Sequence, residues 1–137
     1  MTAATTHSSA DAIRQLLAAK TWAFVGLTDT PYRTVYRMAA FLQRSGVRIV
    51  PVNPRAEAVL GEAGHTEVPP GVDVVGIYRR SAFVAPHVDE AIAIGATGIW
   101  MPLDVIDEDA AARATEAGLT VVMDHCPKIE WPTYGPR

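Results

Sequence analysis

The chain has 137 residues, of which 49% are hydrophobic and 20% are charged, so it is long and apolar enough to form one globular domain with a sizeable core. Its formal net charge of -3 argues against nucleic acid or an acidic membrane surface as the main partner. The single cysteine, Cys126, excludes an internal disulfide and suits a reducing compartment. Without a secretory signal pattern or an apolar run of the ~20 residues that cross a bilayer, the sequence favours a cytoplasmic location.

Taken in order, the chain begins with small and polar residues. We expect residues 1–10 to form a flexible terminus, residues 11–131 to form a single domain, and residues 132–137 to form a tail. Asp11 is placed to cap a short helix over residues 12–19.

A strand, a glycine and a helix follow. The apolar run from Trp22 to Val25 ends at Gly26, which predicts a buried strand and a tight turn. Apolar residues then recur with the spacing of an amphipathic helix that ends before Gly46; these residues are Val35, Met38, Ala39 and Leu42. Backbone N–H groups and the positive end of the helix dipole converge at such a corner, which makes it suited to bind a phosphate.

The rest of the chain repeats this alternation. Four more apolar runs predict strands, over residues 47–52, 72–78, 98–101 and 119–123. Ser81 is placed to cap the helix that ends at Gly95, and Asp107 opens the helix that ends at Gly118. We expect the chain after Asp124 to be mostly irregular.

Apolar strands that alternate with amphipathic helices indicate an α/β protein whose parallel sheet is covered on both faces. We predict five parallel strands in a doubly wound sheet. The order 3-2-1-4-5 is the favoured arrangement, and the flavodoxin-like order 2-1-3-4-5 is the alternative. Ligands of such sheets bind beyond the carboxyl ends of the strands where the winding reverses, which in the favoured order lies between strands one and four.

The predicted strand ends carry the candidate binding residues. Strand one is followed by Gly26, Thr28, Asp29, Pro31 and Arg33, strand two by Asn53, Pro54 and Arg55, strand three by Tyr78, Arg79, Arg80 and Ser81, and strand four by Met101, Pro102 and Leu103. Four arginines therefore share one rim, and Arg37 can join them from the helix. This concentration of positive charge in an acidic protein indicates an anionic ligand.

The pattern narrows the choice of anion. A nicotinamide-binding domain normally shows G-x-G-x-x-G and an acidic residue after strand two, but here Gly26 stands alone and Arg55 replaces the acid. A cation at that position suits a phosphorylated ribose, as in NADP or coenzyme A. No phosphate loop of the form GxxxxGK[ST], metal-ligand spacing or G-x-S-x-G elbow is present in the sequence.

Six motifs then carry a resemblance to a known family. They are Gly26-Leu-Thr-Asp-Thr-Pro-Tyr-Arg33, Val50-Pro-Val-Asn-Pro-Arg55, Tyr78-Arg-Arg-Ser81, Ala91-Ile-Ala-Ile-Gly-Ala96, Trp100-Met-Pro-Leu103 and the run from Val121 to Glu130. In this order they resemble the small bacterial stand-alone CoA-binding proteins, which are similar to the CoA-binding domain of the succinyl-CoA synthetase α subunit. The resemblance covers about residues 21–131.

The resemblance implies a Rossmann-like domain that binds coenzyme A, free or acylated. Gly26, Thr28 and Arg33 would cradle phosphates, and Asn53 and Arg55 would meet the phosphorylated ribose. The segments 78–81 and 101–103 would border the adenine and the pantetheine. The leading hypothesis is a non-catalytic binding or sensor module without a metal. An NADP-binding oxidoreductase-like domain is the alternative, an interaction subunit with a vestigial crevice is a third, and the oligomeric state stays open.

Overall fold

The computed structural model describes residues 7–137, which form five parallel strands and five α-helices. The strands are β1 (Thr21–Val25), β2 (Arg48–Val52), β3 (Val74–Ile77), β4 (Gly98–Trp100) and β5 (Thr120–Val122). The helices are α1 (Ala10–Leu17), α2 (Thr34–Arg44), α3 (Ala85–Ala93), α4 (Glu108–Glu116) and α5 (Pro127–Tyr134), and a 3-10 turn, Ser81–Phe83, precedes α3.

The five strands form a parallel sheet in the order β2-β1-β3-β4-β5. The predicted α/β class with a doubly wound, five-stranded sheet is confirmed. The favoured order 3-2-1-4-5 is wrong, and the alternative order 2-1-3-4-5 is the one that forms. The winding therefore reverses between β1 and β3, not between strands one and four.

Pro51 gives a physical reason for this order. It lies inside β2 opposite Phe24 of β1 and has no N–H to donate to a ladder. In the order 3-2-1-4-5, β2 would be an interior strand and would need hydrogen bonds on both sides. In the observed order β2 is at the edge of the sheet, where a proline is tolerated.

Helices cover both faces of the sheet. On one face α1, α2 and α5 pack over a group of buried aromatic rings, in which the Trp22 ring lies 5.7 Å from that of Phe24 and 5.4 Å from that of Trp100. Trp22 Nε1 donates to Leu16 O at 3.0 Å and Trp100 Nε1 donates to His125 O at 2.8 Å, so neither buried indole N–H is left without a partner. On the other face α3 and α4 pack over valines, isoleucines and alanines.

Two of the three predicted helix caps differ in the structure. The α1 cap is Ser9, whose side chain accepts from Ala12 N at 3.1 Å, and not Asp11. Ser81 begins the 3-10 turn, so α3 starts only at Ala85. Asp107 caps α4 as predicted.

Both ends of the described chain make contacts that the sequence did not predict. Residues 1–6 of the predicted flexible terminus lie outside the described residues. Ser8, by contrast, is tied to the strand beside it, because its N donates to Val121 O and its Oγ accepts from Met123 N, both at 2.9 Å.

At the other end, α5 replaces the predicted irregular segment and crosses the predicted boundary between domain and tail. The ring of Trp131 meets that of Phe41 edge-on at 5.7 Å, and Arg14 lies 5.2 Å over the ring of Tyr134, so α5 is held by α1 and α2. None of the helices in residues 7–137 is long and apolar enough to span a membrane.

Candidate functional site

A cavity of about 1150 Å³ lies beyond the carboxyl ends of β1 and β3, where the winding of the sheet reverses. Ten of the fifteen predicted site residues line it: Gly26, Thr28, Arg33, Pro54, Tyr78, Arg79, Arg80, Ser81, Pro102 and Leu103. Because the carboxyl ends of parallel strands share one edge in any strand order, these residues meet although the favoured order was wrong.

The corner after β1 depends on Gly26. Its φ is +94°, and a Cβ added there would lie 2.5 Å from the carbonyl oxygen of Tyr78. Backbone hydrogen bonds hold the two crossing segments in place. Gly26 N donates to Val52 O at 2.9 Å, and Tyr78 N donates to Val25 O at 3.0 Å. Only glycine fits this crossing, which brings the loop before α2 close to the end of β3.

The N-terminus of α2 faces the cavity without a cap from its own side chains. Arg33 is the N-cap residue and makes no side-chain capping hydrogen bond, and the first turn contains no acidic residue. Thr34 and Val35 of that turn line the cavity. The first N–H groups of α2 and the positive end of its dipole are therefore available to an anion.

Three arginines add positive charge. Arg33, Arg79 and Arg80 all line the cavity and are exposed, whereas Asp104 is the one acidic residue in the lining formed by residues 7–137. The guanidinium groups of Arg79 and Arg80 lie 4.7 Å and 6.0 Å from the centre of the Phe83 ring. The cavity is thus locally cationic in a chain of negative net charge, which favours an anionic ligand.

Ser81 does not cap a helix but joins two segments that line the cavity. Its Oγ accepts from Ile106 N at 2.9 Å and donates to Asp104 O at 3.5 Å, which ties the end of β3 to the loop after β4. In this loop Pro102 is buried, while Leu103 is 51% exposed and lines the cavity.

The floor of the cavity between α2 and α5 is mostly apolar. Met38 and Cys126 meet there, with 3.7 Å between Sδ and Sγ. The hydroxyl of Tyr78 is buried and has no hydrogen-bond partner among the described residues. Burial, with a smaller contribution from Cys126, raises the pKa of Tyr78 above its usual range, so this side chain stays neutral.

Sequence reasoning missed nine lining residues: Tyr32, Thr34, Val35, Met38, Phe83, Asp104, Val105, Cys126 and Pro127. Val35 and Met38 were assigned to the buried face of α2, and the helical periodicity gives no sign that this face also borders a cavity. Cys126 and Pro127 were missed because they belong to the start of α5, which was expected to be irregular.

Five predicted site residues do not line the cavity: Asp29, Pro31, Asn53, Arg55 and Met101. Met101 is fully buried. Arg55 is exposed and follows Pro54, which does line the cavity. Asp29 N donates to Glu57 Oε1 at 2.9 Å.

Asn53 has a structural task in the loop after β2. It is 4% exposed, its Nδ2 donates to Leu27 O and Glu57 O at 3.0 Å each, and its Oδ1 accepts from Arg55 N at 3.2 Å and Glu57 N at 2.8 Å. These four bonds use the hydrogen-bonding capacity of the amide. Asn53 therefore joins the loop after β2 to the loop after β1.

A doubly wound sheet with a cationic cavity at its switch point defines a Rossmann-like ligand-binding domain. The family model described as "CoA binding domain" matches residues 20–132, and the chain belongs to this family. It is 32% identical over 125 residues to the uncharacterised protein YneT of Bacillus subtilis (strain 168), with 89% of this chain and 93% of that protein covered.

Two solved structures show the same fold. A hypothetical protein from Pyrococcus horikoshii OT3 superposes with a TM-score of 0.85 at 28% identity, and 92% of each chain is covered. A protein from Thermus thermophilus, cell-free ID.343, superposes with a TM-score of 0.82 at 27% identity, with 90% of this chain and 97% of that chain covered. The architecture is therefore shared with small proteins that match along nearly their whole length.

Proposed function

We propose that this protein binds coenzyme A, free or acylated, through its phosphates in the cavity at the β1–β3 switch point, as a non-catalytic binding or sensor module. One observation carries the proposal: in a chain of the CoA-binding domain family, three arginines and the uncapped N-terminus of α2 face the same cavity. The binding unit is the domain expected over residues 11–131, together with the rest of α5.

The pyrophosphate is assigned to the N-terminus of α2. There the N–H groups of the first turn and the guanidinium of Arg33 can each donate to phosphate oxygens, and the dipole favours negative charge. Gly26 and Thr28 lie on the strand side of the same corner. Arg79 and Arg80, on the far side of Gly26, extend the positive charge along the cavity.

Arg55 is assigned to the phosphate on the ribose of coenzyme A. It stands where nicotinamide-binding domains place an acidic residue for the ribose hydroxyls, and the adjacent Pro54 lines the cavity. Asn53 supports this assignment indirectly, because its Oδ1 accepts from the backbone N of Arg55 at 3.2 Å and so fixes the chain at that point.

The contacts of Tyr78 and Cys126 support a binding role for the cavity. Tyr78 is held neutral, and the one sulfur partner that the described residues give Cys126 is Met38. A nucleophile activated by a neighbouring base would need a hydrogen bond to that base, and Cys126 makes none among the described residues.

Titration calorimetry with coenzyme A, dephospho-CoA and NADP tests the proposal. We expect coenzyme A to bind, dephospho-CoA to bind more weakly, and Arg33→Gln to lower the affinity by about tenfold, because it removes one charge-assisted contact. The matched control is Arg113→Gln on α4, whose guanidinium pairs with Asp89 at 3.0 Å and does not line the cavity.

Three results would contradict parts of the proposal. Absence of binding by coenzyme A and its acyl esters would overturn it as a whole. Equal affinity for coenzyme A and dephospho-CoA would remove the role given to Arg55. Tighter binding of NADP, with a change in nicotinamide absorbance when carbonyl substrates are added, would favour the oxidoreductase-like alternative.

A further inference from the structure

Arg79 is held by a chain of polar contacts that runs away from the cavity it lines. Its Nη1 lies 3.3 Å from Nε2 of His87, and Nδ1 of His87 lies 2.6 Å from Oε1 of Glu90. The second carboxylate oxygen, Oε2, accepts from Val68 N at 3.1 Å. Glu90 is thereby fixed by the backbone, and it in turn orients the imidazole that meets Arg79.

The contacts fit one tautomer of His87. A guanidinium has donors and no acceptor, so Nε2 must accept from Arg79 and carry no hydrogen. A carboxylate at 2.6 Å accepts, so Nδ1 must carry the hydrogen and donate it to Glu90. The arrangement therefore fits the imidazole that carries its hydrogen on Nδ1 and leaves Nε2 free to accept.

The other charged groups of the neighbouring elements are occupied elsewhere or exposed. Asp89 of α3 pairs with Arg113 of α4 at 3.0 Å, and Arg80 lies over the Phe83 ring. Glu67, on the loop that reaches Val68, is exposed. Arg79 and Glu90 are thus the charged partners that the imidazole contacts directly.

We propose that anion binding in the cavity is coupled to protonation of His87. Neutral His87 competes with the ligand for Arg79, since it accepts a hydrogen bond that a phosphate would otherwise accept. Protonation places a hydrogen on Nε2 and a positive charge beside Arg79, while Nδ1 keeps its hydrogen bond to Glu90 and that contact becomes an ion pair. Arg79 is then released toward the cavity, where Phe83 still supports it at 4.7 Å.

This coupling has a defined sign and rests on the proposed function. Anion affinity rises as the pH falls through the range in which histidine changes charge, and anion binding takes up a proton. Neither consequence is expected if His87 serves only to pack α3 against the sheet.

Calorimetry with dephospho-CoA at about pH 8 and at about pH 5.5 provides the test. Dephospho-CoA is the probe because it lacks the phosphomonoester of coenzyme A, which itself changes charge at about pH 6. We expect the wild-type protein to bind about fivefold more tightly at the lower pH. His87→Gln offers Arg79 an acceptor oxygen that does not titrate, so its affinity should be nearly independent of pH.

Two histidine controls make the test specific. His65→Gln changes a half-buried histidine outside the cavity lining and should keep the wild-type pH dependence. His125 precedes the lining residue Cys126, so His125→Gln tests the nearest competing source of a pH effect. Persistence of the pH dependence in His87→Gln, or its loss in His125→Gln alone, would overturn the coupling.

A measurement without ligand separates this proposal from the proposed function. Long-range ¹H–¹⁵N spectra of the free wild-type protein at about pH 8 should show His87 with its hydrogen on Nδ1. A hydrogen on Nε2 would overturn the coupling even if coenzyme A binds. If instead neither coenzyme A nor dephospho-CoA binds at either pH, the proposed function fails, and the coupling fails with it.

Discussion

Helices α2 and α4 begin in opposite ways, although each packs against the same parallel sheet. The α4 helix closes its own N-terminus: the side chain of Asp107 accepts from Ala110 N at 3.0 Å, and Glu108 and Asp109 place negative charge in its first turn. The α2 helix has Arg33 at the equivalent position, no side-chain cap and no acidic residue in the first turn. The α4 helix satisfies one N–H group and its dipole with its own residues, and α2 leaves both open at the cavity.

This difference originates in the sequence and not in the architecture. A capped α2 would be the more stable helix, since a suitable N-cap residue contributes about 1 kcal/mol. The open end is tolerable because solvent or a ligand can satisfy it. The open helix end and the cationic side chains around it lie at the same cavity, which supports the proposed binding site there.

The largest effect should come from the corner that carries α2 to the cavity. Gly26→Ala places a Cβ 2.5 Å from the carbonyl oxygen of Tyr78 at a φ of +94°. We expect a loss of about 3 kcal/mol in the free energy of unfolding and a loss of coenzyme A binding, because backbone must move against backbone. Urea denaturation and calorimetry measure the two effects.

Gly46→Ala is the matched control for Gly26→Ala. Gly46 has a φ of +100°, but a Cβ added there would meet nothing within 4 Å. Gly46→Ala should lower the free energy of unfolding by about 1 kcal/mol, which is the conformational penalty alone, and should leave the affinity for coenzyme A unchanged. Equal destabilisation by the two substitutions would show that the approach of Tyr78 to Gly26 is unimportant.

Arg33→Asp should stabilise the folded protein and weaken the binding of coenzyme A. The new carboxylate can cap α2 as Asp107 caps α4, so the free energy of unfolding should rise by about 1 kcal/mol. Affinity for coenzyme A should fall by about 2 kcal/mol, or about thirtyfold in Kd, because a cation is lost and the N–H groups are occupied. Unchanged affinity in a stabilised variant would contradict the assignment of the pyrophosphate to this helix end.

Asp107→Ala makes the converse change in α4. Loss of the bond to Ala110 N should lower the free energy of unfolding by about 1 kcal/mol. The affinity for coenzyme A should stay the same, since Asp107 does not line the cavity. A large fall in affinity would show that the loop before α4 is part of the binding site.

The sequence was sufficient for those features that local chemistry decides. Gly26 marked the tight corner, Asp107 marked the start of α4, and apolar runs marked the parallel strands. Pro51 also indicates that β2 lies at the edge of the sheet, because it has no N–H for a second neighbouring strand. This indication becomes visible only when the two possible strand orders are compared with each other.

Features that depend on distant partners could not be predicted in the same way. Asn53 follows a strand end, as a ligand-binding residue would, yet its amide is used by Leu27, Arg55 and Glu57. The α5 helix contains Pro127 and Pro132 and lacks a clear apolar stripe, and it is stabilised by aromatic contacts with α1 and α2. In both cases tertiary contacts override the local pattern.

The smallest effect should come from Tyr78→Phe, at a residue that lines the cavity. The hydroxyl has no partner among the described residues, so its removal should be neutral or should stabilise the protein by up to about 1 kcal/mol. The gain should be larger at alkaline pH, because burial raises the pKa of Tyr78 in the folded protein. A tyrosine in the unfolded chain ionises at about pH 10, so the wild-type protein loses stability as the pH rises above that value, and the variant lacks this loss.

Denaturation of both proteins at about pH 8 and about pH 10.5 measures the difference. Tyr32→Phe, at a side chain that is 79% exposed, should show neither effect. Destabilisation by Tyr78→Phe at the lower pH would instead mean that the buried hydroxyl is hydrogen-bonded in solution.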